Sequence, residues 1–128
     1  MLEDALRTRL LADSSIASLI DNRMFVNEAP QGVISPYVVY TVVSLMPQYG
    51  TSCVYDEMII QYSCFADKYA DARDTANAIR NNIGRYSGNI GSFYVPKIRF
   101  HSQGANEKEQ DSRKSHISYD FEIILNKS

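Results

Sequence analysis

The sequence predicts an α+β fold, a mixed, mostly antiparallel sheet of about five strands packed by two main helices in the order helix, strand, hairpin, helix, hairpin. Three observations carry this expectation. Leucines recur at helical spacing in the first dozen residues, the run from Tyr37 to Met46 is rich in β-branched and aromatic residues, and apolar positions repeat at three and four between Asp67 and Ile83.

Leu2, Leu6 and Leu10, with Glu3, Arg7 and Arg9 between them, make the first helix amphipathic, so one face should dock on a sheet. Asp13 and Ser14 are good N-cap residues for a second short helix carrying Ile16, Leu19 and Ile20, which ends near Asp21 and Asn22. Arg23 to Val26 follows as a short first strand. Pro30 and Pro36 then bracket a polar link, and proline is tolerated at the head of a strand.

From Tyr37 to Met46 both alternating sets are mostly apolar, Tyr37, Val39, Val43 and Leu45 on one side and Val38, Tyr40, Val42 and Met46 on the other. Neither face is built for water, which predicts a strand that either sits centrally between layers or has one face under a helix and the other under a neighbouring molecule. Pro47 to Ser52 supplies turn chemistry, and Val54 to Phe65 returns as the partner strand of a hairpin. In that strand Met58, Ile60, Tyr62 and Cys64 share a core face, while Glu57, Gln61 and Ser63 share a wetter one that Ile59 interrupts.

Asp67 is the expected cap of the main helix, whose apolar stripe reads Tyr69, Ala72, Ala76, Ile79 and Ile83, with Gly84 or Gly88 near its end. The last quarter reads as a second hairpin. Tyr94, Ile98 and Phe100 alternate with Lys97, Arg99 and His101, and Ile117, Tyr119, Phe121, Ile123 and Leu125 alternate with Ser118, Asp120 and Glu122. Between them Ser102 to Ser115 is a polar loop, expected to be flexible, which mixes Glu107, Glu109 and Asp111 with Lys108, Arg113 and Lys114.

The chain of 128 residues suits one domain, residues 1–128, that buries roughly two-thirds of its extended surface. Its 13 basic and 15 acidic residues leave a net charge of -2 without a block of like charges, which argues against electrostatic capture of DNA or a membrane. The longest apolar run is about half of the roughly 20 residues a spanning helix needs, so neither a signal peptide nor a membrane anchor is expected. Cys53 and Cys64 fall near opposite ends of one strand, beyond disulfide reach, and two free thiols favour a reducing compartment.

The chemistry-bearing residues form no catalytic, cofactor or metal signature. His101 and His116 flank the polar loop as two outward polar residues; as cross-strand neighbours they could share a metal, but two histidines without a third ligand are a weak zinc signal. Cys64 lies on an apolar face, where cysteine acts as a small hydrophobe. Asp67, Asp71 and Asp74 suit the amino end of a helix better than a cation. The glycines at 84, 88 and 91 follow a helix, the wrong order for a phosphate cradle. Of the 9 tyrosines, Tyr49, Tyr55 and Tyr86 fall at or near turns, which makes them candidate interface residues beside Glu107, Lys108, Glu109, Asp111, Arg113 and Lys114 of the loop.

The words DNRMFV (Asp21 to Val26), APQGVISPYVVYTVVS (Ala29 to Ser44), FADKYADARDTANAIRNNI (Phe65 to Ile83) and SYDFEII (Ser118 to Ile124), in this order of elements, resemble the small tail completion proteins of long-tailed bacteriophages and prophages, also described as tail terminator or head-to-tail joining proteins. The resemblance implies a virion structural protein and no enzyme. It implies a homo-oligomeric ring, commonly hexameric, at the head-proximal end of the tail tube, made in the host bacterial cytoplasm. Its partners would be copies of itself, the tail tube protein and the head connector, with DNA passing through the channel unbound and no membrane or cofactor involved. The polar loop would then order against the tube or the next subunit, pairing Glu107, Glu109, Lys108 and Arg113 across the joint. Two other classes stay open. One is a small ligand-binding or enzymatic α+β domain, which needs a pocket with convergent polar groups. The other is a nucleic-acid-binding module with Lys97, Arg99 and His101 beside Tyr94 and Phe100 as its platform.

Overall fold

In the computed structural model, residues 2–34, 36–49, 54–84, 86–91, 93–103, 107–108 and 115–126 are described, with only the backbone at 47–49, 54, 55, 101–103, 107, 108 and 126. Helix α1 (Leu2–Leu11) buries Leu2, Leu6 and Leu10 along one stripe, with Glu3 and Asp4 in its first turn and Arg9 in its last, as the helix dipole favours. Helix α2 (Ser14–Ile20) starts at Asp13, whose carboxylate accepts the Ser15 N–H at 2.8 Å. The other carboxylate oxygen accepts from Asn82 Nδ2 at 2.7 Å, and Asn82 Oδ1 accepts from Arg9 Nε at 2.9 Å. This relay ties the end of the first helix, the cap of the second and the last turn of the main helix. The Asn82 amide, and then the Ser15 N–H, hold the Asp13 carboxyl below its ordinary pKa.

The sheet runs β1 (Met24–Val26), β2 (Tyr37–Tyr49), β3 (Val54–Ala66), β8 (Ser115–Asn126), β6 (Lys97–Gln103), with the short β7 (Glu107–Lys108) also on β8. Among the described residues only β1 and β2 are parallel and every other pairing is antiparallel, so the mixed, mostly antiparallel sheet is as expected. The Arg23 guanidinium, donating to Pro36 O at 3.0 Å, and the Arg7 guanidinium, donating to Met24 O at 3.0 Å, fasten β1 in place. The centre is β3, not β2 as the apolar run suggests; β2 lies beside the edge strand. It also runs past the turn expected at Pro47, which pairs with Asp56 inside the ladder. A proline is tolerated there because no second strand flanks β2 at that level among the described residues.

The core lies on one face of the sheet. Met58, Ile60, Tyr62 and Cys64 of β3 and Ile117, Tyr119, Phe121, Ile123 and Leu125 of β8 alternate along their strands and are buried on this face. Helix α3 (Tyr69–Ile83) covers them with Ala72, Thr75, Ala76, Ile79 and Ile83, and its small residues let it lie close on the sheet. Three details of this helix depart from the sequence reading. It begins at Tyr69 with Lys68 at the N-cap and no side-chain cap, so Asp67 does not serve. Tyr69 is exposed, and Thr75 takes a core position because its hydroxyl donates to Asp71 O at 2.8 Å within the helix. Gly84 closes the helix in a right-handed conformation, and it must be glycine because a Cβ there would collide with the Arg80 carbonyl oxygen.

A small hairpin, β4 (Gly88–Ile90) and β5 (Phe93–Val95), has no counterpart in the sequence reading. Ile90 and Val95 point into the core, and Gly91 at φ 59° turns so close to α1 that a Cβ would stand 2.9 Å from Ala5 Cβ. Tyr94 belongs to this hairpin, so the last hairpin begins at Lys97.

Two stability measurements follow from this packing. Phe121→Ala is expected to cost about 3–5 kcal/mol in denaturant unfolding, whereas Tyr62→Phe costs nothing or raises Tm, because the fully buried Tyr62 hydroxyl has no hydrogen-bond partner among the described residues. Because the Asp13 carboxyl is held below its ordinary pKa, its ionised form stabilises the fold above that value, and the contribution is lost as pH falls through the folded-state pKa. In urea titrations from pH 6 to about pH 2, Asp13→Asn should therefore lose stability less steeply with acid than the wild type.

Candidate assembly interface

Strands β2 and β3 are each 13 residues long, about 43 Å at 3.3 Å per residue, and form an arm that outruns the helices. A β-bulge between Val42 and Ser44 leaves Val43 without a partner in the ladder. Val43, Leu45 and Met46 are 56%, 48% and 49% exposed, so the outer half of β2 is an apolar surface open to solvent. Of the apolar sets expected to be covered, only the inner half is: Val38 and Tyr40 are buried under the helices, and Tyr37 lies beneath its aromatic neighbours.

The face opposite the helices begins with an aromatic row across four strands. Phe25 meets Tyr37 edge-on at 6.5 Å, Tyr37 stacks on Phe65 at 5.0 Å, and Phe65 stacks on His116 at 4.5 Å. His116 is thus half-buried rather than an exposed polar residue. His101 lies in a bulge of β6 beside Phe121 and Asp120, four or more residues of β8 away from His116, about 13 Å, so the two histidines are not cross-strand neighbours. Farther along, Glu122 is buried and takes an ion pair from Arg99 at 2.5 Å, which supplies the partner a buried carboxylate requires.

Between the second half of α3 and β6 lies an open cleft of about 760 Å³, lined by Asn77, Arg80, Asn81, Tyr86, Lys97 and Phe100 among others. Arg80 packs over the Phe100 ring at 4.1 Å, Arg9 packs over Tyr86 at 3.8 Å, and Asn77 Oδ1 accepts from the Tyr119 hydroxyl at 2.9 Å. The cleft offers cations, amides and the hydroxyls of Tyr86 and Ser87, and its lining holds no histidine, cysteine or carboxylate. Cys64 is fully buried on the core face, and burial pushes its thiol pKa well up, so it is inert there. Among the described residues no three histidine, cysteine or acidic side chains gather as a metal site, Asp67, Asp71 and Asp74 included. Nor does the expected nucleic-acid platform assemble. Tyr94 sits on the separate hairpin, and Phe100 faces the helix side beneath Arg80 while Lys97 and Arg99 point to the other face.

A protein-family profile described as Tail completion protein gp17 matches residues 4–126, nearly the whole chain. The chain belongs to this family. Tail completion proteins are structural proteins of phage particles, and the chain is a component of a phage tail. Among solved structures, a chain of the virion of a native gene transfer agent particle superposes with a TM-score of 0.84 at 14% identity, over 98% of this chain and 94% of that one. A second solved chain superposes with a TM-score of 0.58 at 12% identity, over 94% of both. At such identities the likeness is one of fold. No curated protein matches the sequence.

The residues expected at the interface of this tail completion protein are distributed as follows. Glu109, Asp111, Arg113 and Lys114 lie outside the described residues. Glu107 and Lys108 are not loop but the short strand β7, paired to His116 and Ser115, and Ser102 and Gln103 continue β6, so the ends of the supposed loop are ladder. Tyr49 and Tyr55 lie at the far end of the arm, where Tyr55 pairs with Gln48 and Tyr49 with Val54. Tyr86 is half-buried, donates to Asn89 O at 2.8 Å and carries Arg9 on its ring. The apolar outer half of β2 matches the sequence reading of a strand with no face built for water, whereas the bulge at Val43 has no sequence signature. No helix among the described residues is long and apolar enough to cross a membrane.

The inertness of Cys64 is directly measurable. In a Cys53→Ser variant, a thiol reagent such as DTNB should label no cysteine in native buffer and one per chain in denaturant; fast native labelling would contradict the burial.

Proposed function

We propose that this tail completion protein is a single-domain subunit that assembles with copies of itself into a ring at the head-proximal end of the phage tail tube, ends tube growth and joins the tail to the head. The observation that carries this reading is the family match over residues 4–126, and the arm with its exposed Val43, Leu45 and Met46 supports it by offering apolar surface that a subunit of an assembly can bury. The proposed partners are other copies of the chain, the tube protein and the head connector. The segment from Ser102 to Ser115, with Glu107, Lys108, Glu109, Asp111, Arg113 and Lys114, is proposed to pair across one of these joints, and Tyr49 and Tyr55 at the arm's end to insert in another. DNA slides through the channel without specific contacts, consistent with a net charge of -2. No catalytic step belongs to this role.

Inactivating the gene in its parent phage or prophage, and imaging the lysate by negative-stain electron microscopy, tests the reading. Overlong tails, or tubes detached from filled heads, are expected, and tail length separates a terminator from a joiner. Intact infectious particles would overturn it.

A further inference from the structure

The charges of this chain are sorted along the sequence in a way the net charge hides. Between Arg23 and Lys68 there is no lysine or arginine, only Glu28, Asp56, Glu57 and Asp67; between Asp74 and Glu107 there is no acid, only Arg80, Arg85, Lys97 and Arg99. The fold carries these two segments to opposite sides of one sheet, the acidic one building β1, β2 and β3 and the basic one supplying β6 and the helix end beside it. Both outer edges are open. β1 covers β2 only from Val38 to Tyr40, and among the described residues no strand pairs with β2 beyond that point or with the outer side of β6.

The two open edges also match in level and direction. Reading the ladder across the sheet, Lys97 lies in the row of Ile124, Glu57 and Met46, Arg99 in the row of Glu122, Ile59 and Ser44, and Ser102 in the row of Asp120, Gln61 and Thr41. Thus β6 spans the rows where β2 is uncovered. Each edge has one bulge, at Val43 and at His101, in adjacent steps of the ladder, so pairing out of level would set a kink against a straight stretch. Because β6 runs opposite to β2, a copy rotated about an axis along the strands presents β6 antiparallel to β2.

We propose that the open edge of β2 is the docking site for β6 of a second copy of this chain, so that subunits join head to tail through one continuous antiparallel sheet. This rests on the self-assembly part of the function proposed above. Lys97 of the neighbouring copy then stands beside Met46 and within reach of Glu57, one strand further in, and Phe100 comes against the exposed apolar stretch. Equal levels mean no rise along the axis, so the chain of contacts closes into a ring instead of a filament.

An engineered disulfide decides this. Met46 and Lys97 of one chain are three strand spacings apart, about 14 Å, beyond disulfide reach, whereas at a docked edge residues from two copies are about 5 Å apart. Met46→Cys with Lys97→Cys, in a Cys53→Ser background, should give a ladder of disulfide-linked oligomers on oxidation at high protein concentration, and either single variant should not extend past a dimer. In parallel, sedimentation velocity should show self-association weakened about tenfold or more by Glu57→Lys and restored by Glu57→Lys with Lys97→Glu. Self-association without the disulfide ladder or the charge-swap rescue would overturn the edge pairing while leaving the ring reading intact. A wild type that stays monomeric up to millimolar concentration, with no ladder, would overturn pairing between copies, and gene inactivation would then report separately on the tail role.

Discussion

Rise per residue is the constraint on which this structure turns. Helix α3 has 15 residues and reaches about 22 Å at 1.5 Å each, while β2 and β3 have 13 residues each and reach about 43 Å at 3.3 Å each. One layer of such helices cannot cover a hairpin of that length. The covered part becomes the core, where β3 and β8 alternate against Ala72, Ala76, Ile79 and Ile83. The uncovered part becomes the exposed arm, and no choice of side chains within this architecture removes it. The apolar exposure at Val43, Leu45 and Met46 thus follows from a mismatch of lengths between layers.

Wherever one periodicity dominated, the fold was legible in the sequence. The leucine stripe of α1, the alternation of the inward residues of β8 and the spacing of α3 each follow from burial of one face, which is a property of pattern alone, and the cap at Asp13 follows from its carboxylate's reach to a free N–H of the first turn. The misses share a cause as well. Pro47 reads as a turn because proline usually breaks a ladder, and the glycine-rich stretch around Gly88 and Gly91 reads as punctuation because three-residue strands are too short to show a period. Asp67 reads as a cap from its side chain, but the helix starts one residue too late for it. The candidate site was less legible. Tyr86 has the composition of an interface residue, yet Arg9 and Asn89 engage it within the chain. The sorting of charge between the segments of the sheet was in the sequence all along, but it acquires meaning only when the strand order places those segments at opposite edges.

The gene transfer agent chain has this fold with 14% identical residues. Such persistence is expected when the requirements are a face to bury, a helix small enough to lie close and a hairpin long enough to project, since many sequences of similar pattern and volume satisfy them. Identity is needed where atoms crowd, as at Gly84 beneath the Arg80 carbonyl and at Gly91 against Ala5. These are points of contact between elements and not points of chemistry, which suits a protein whose work is to fit.

Pro47 imposes a limit of its own. A proline nitrogen has no hydrogen to donate, so a ladder on the side of β2 away from β3 cannot be continued unbroken past that residue, although the β3 side pairs through it. From Thr41 to Met46 the strand is a template bent once, at Val43, and beyond it the template stops. The proline is therefore a ruler built into the backbone, which bounds the length of any guest strand and disfavours the open-ended stacking by which exposed strands turn into fibrils.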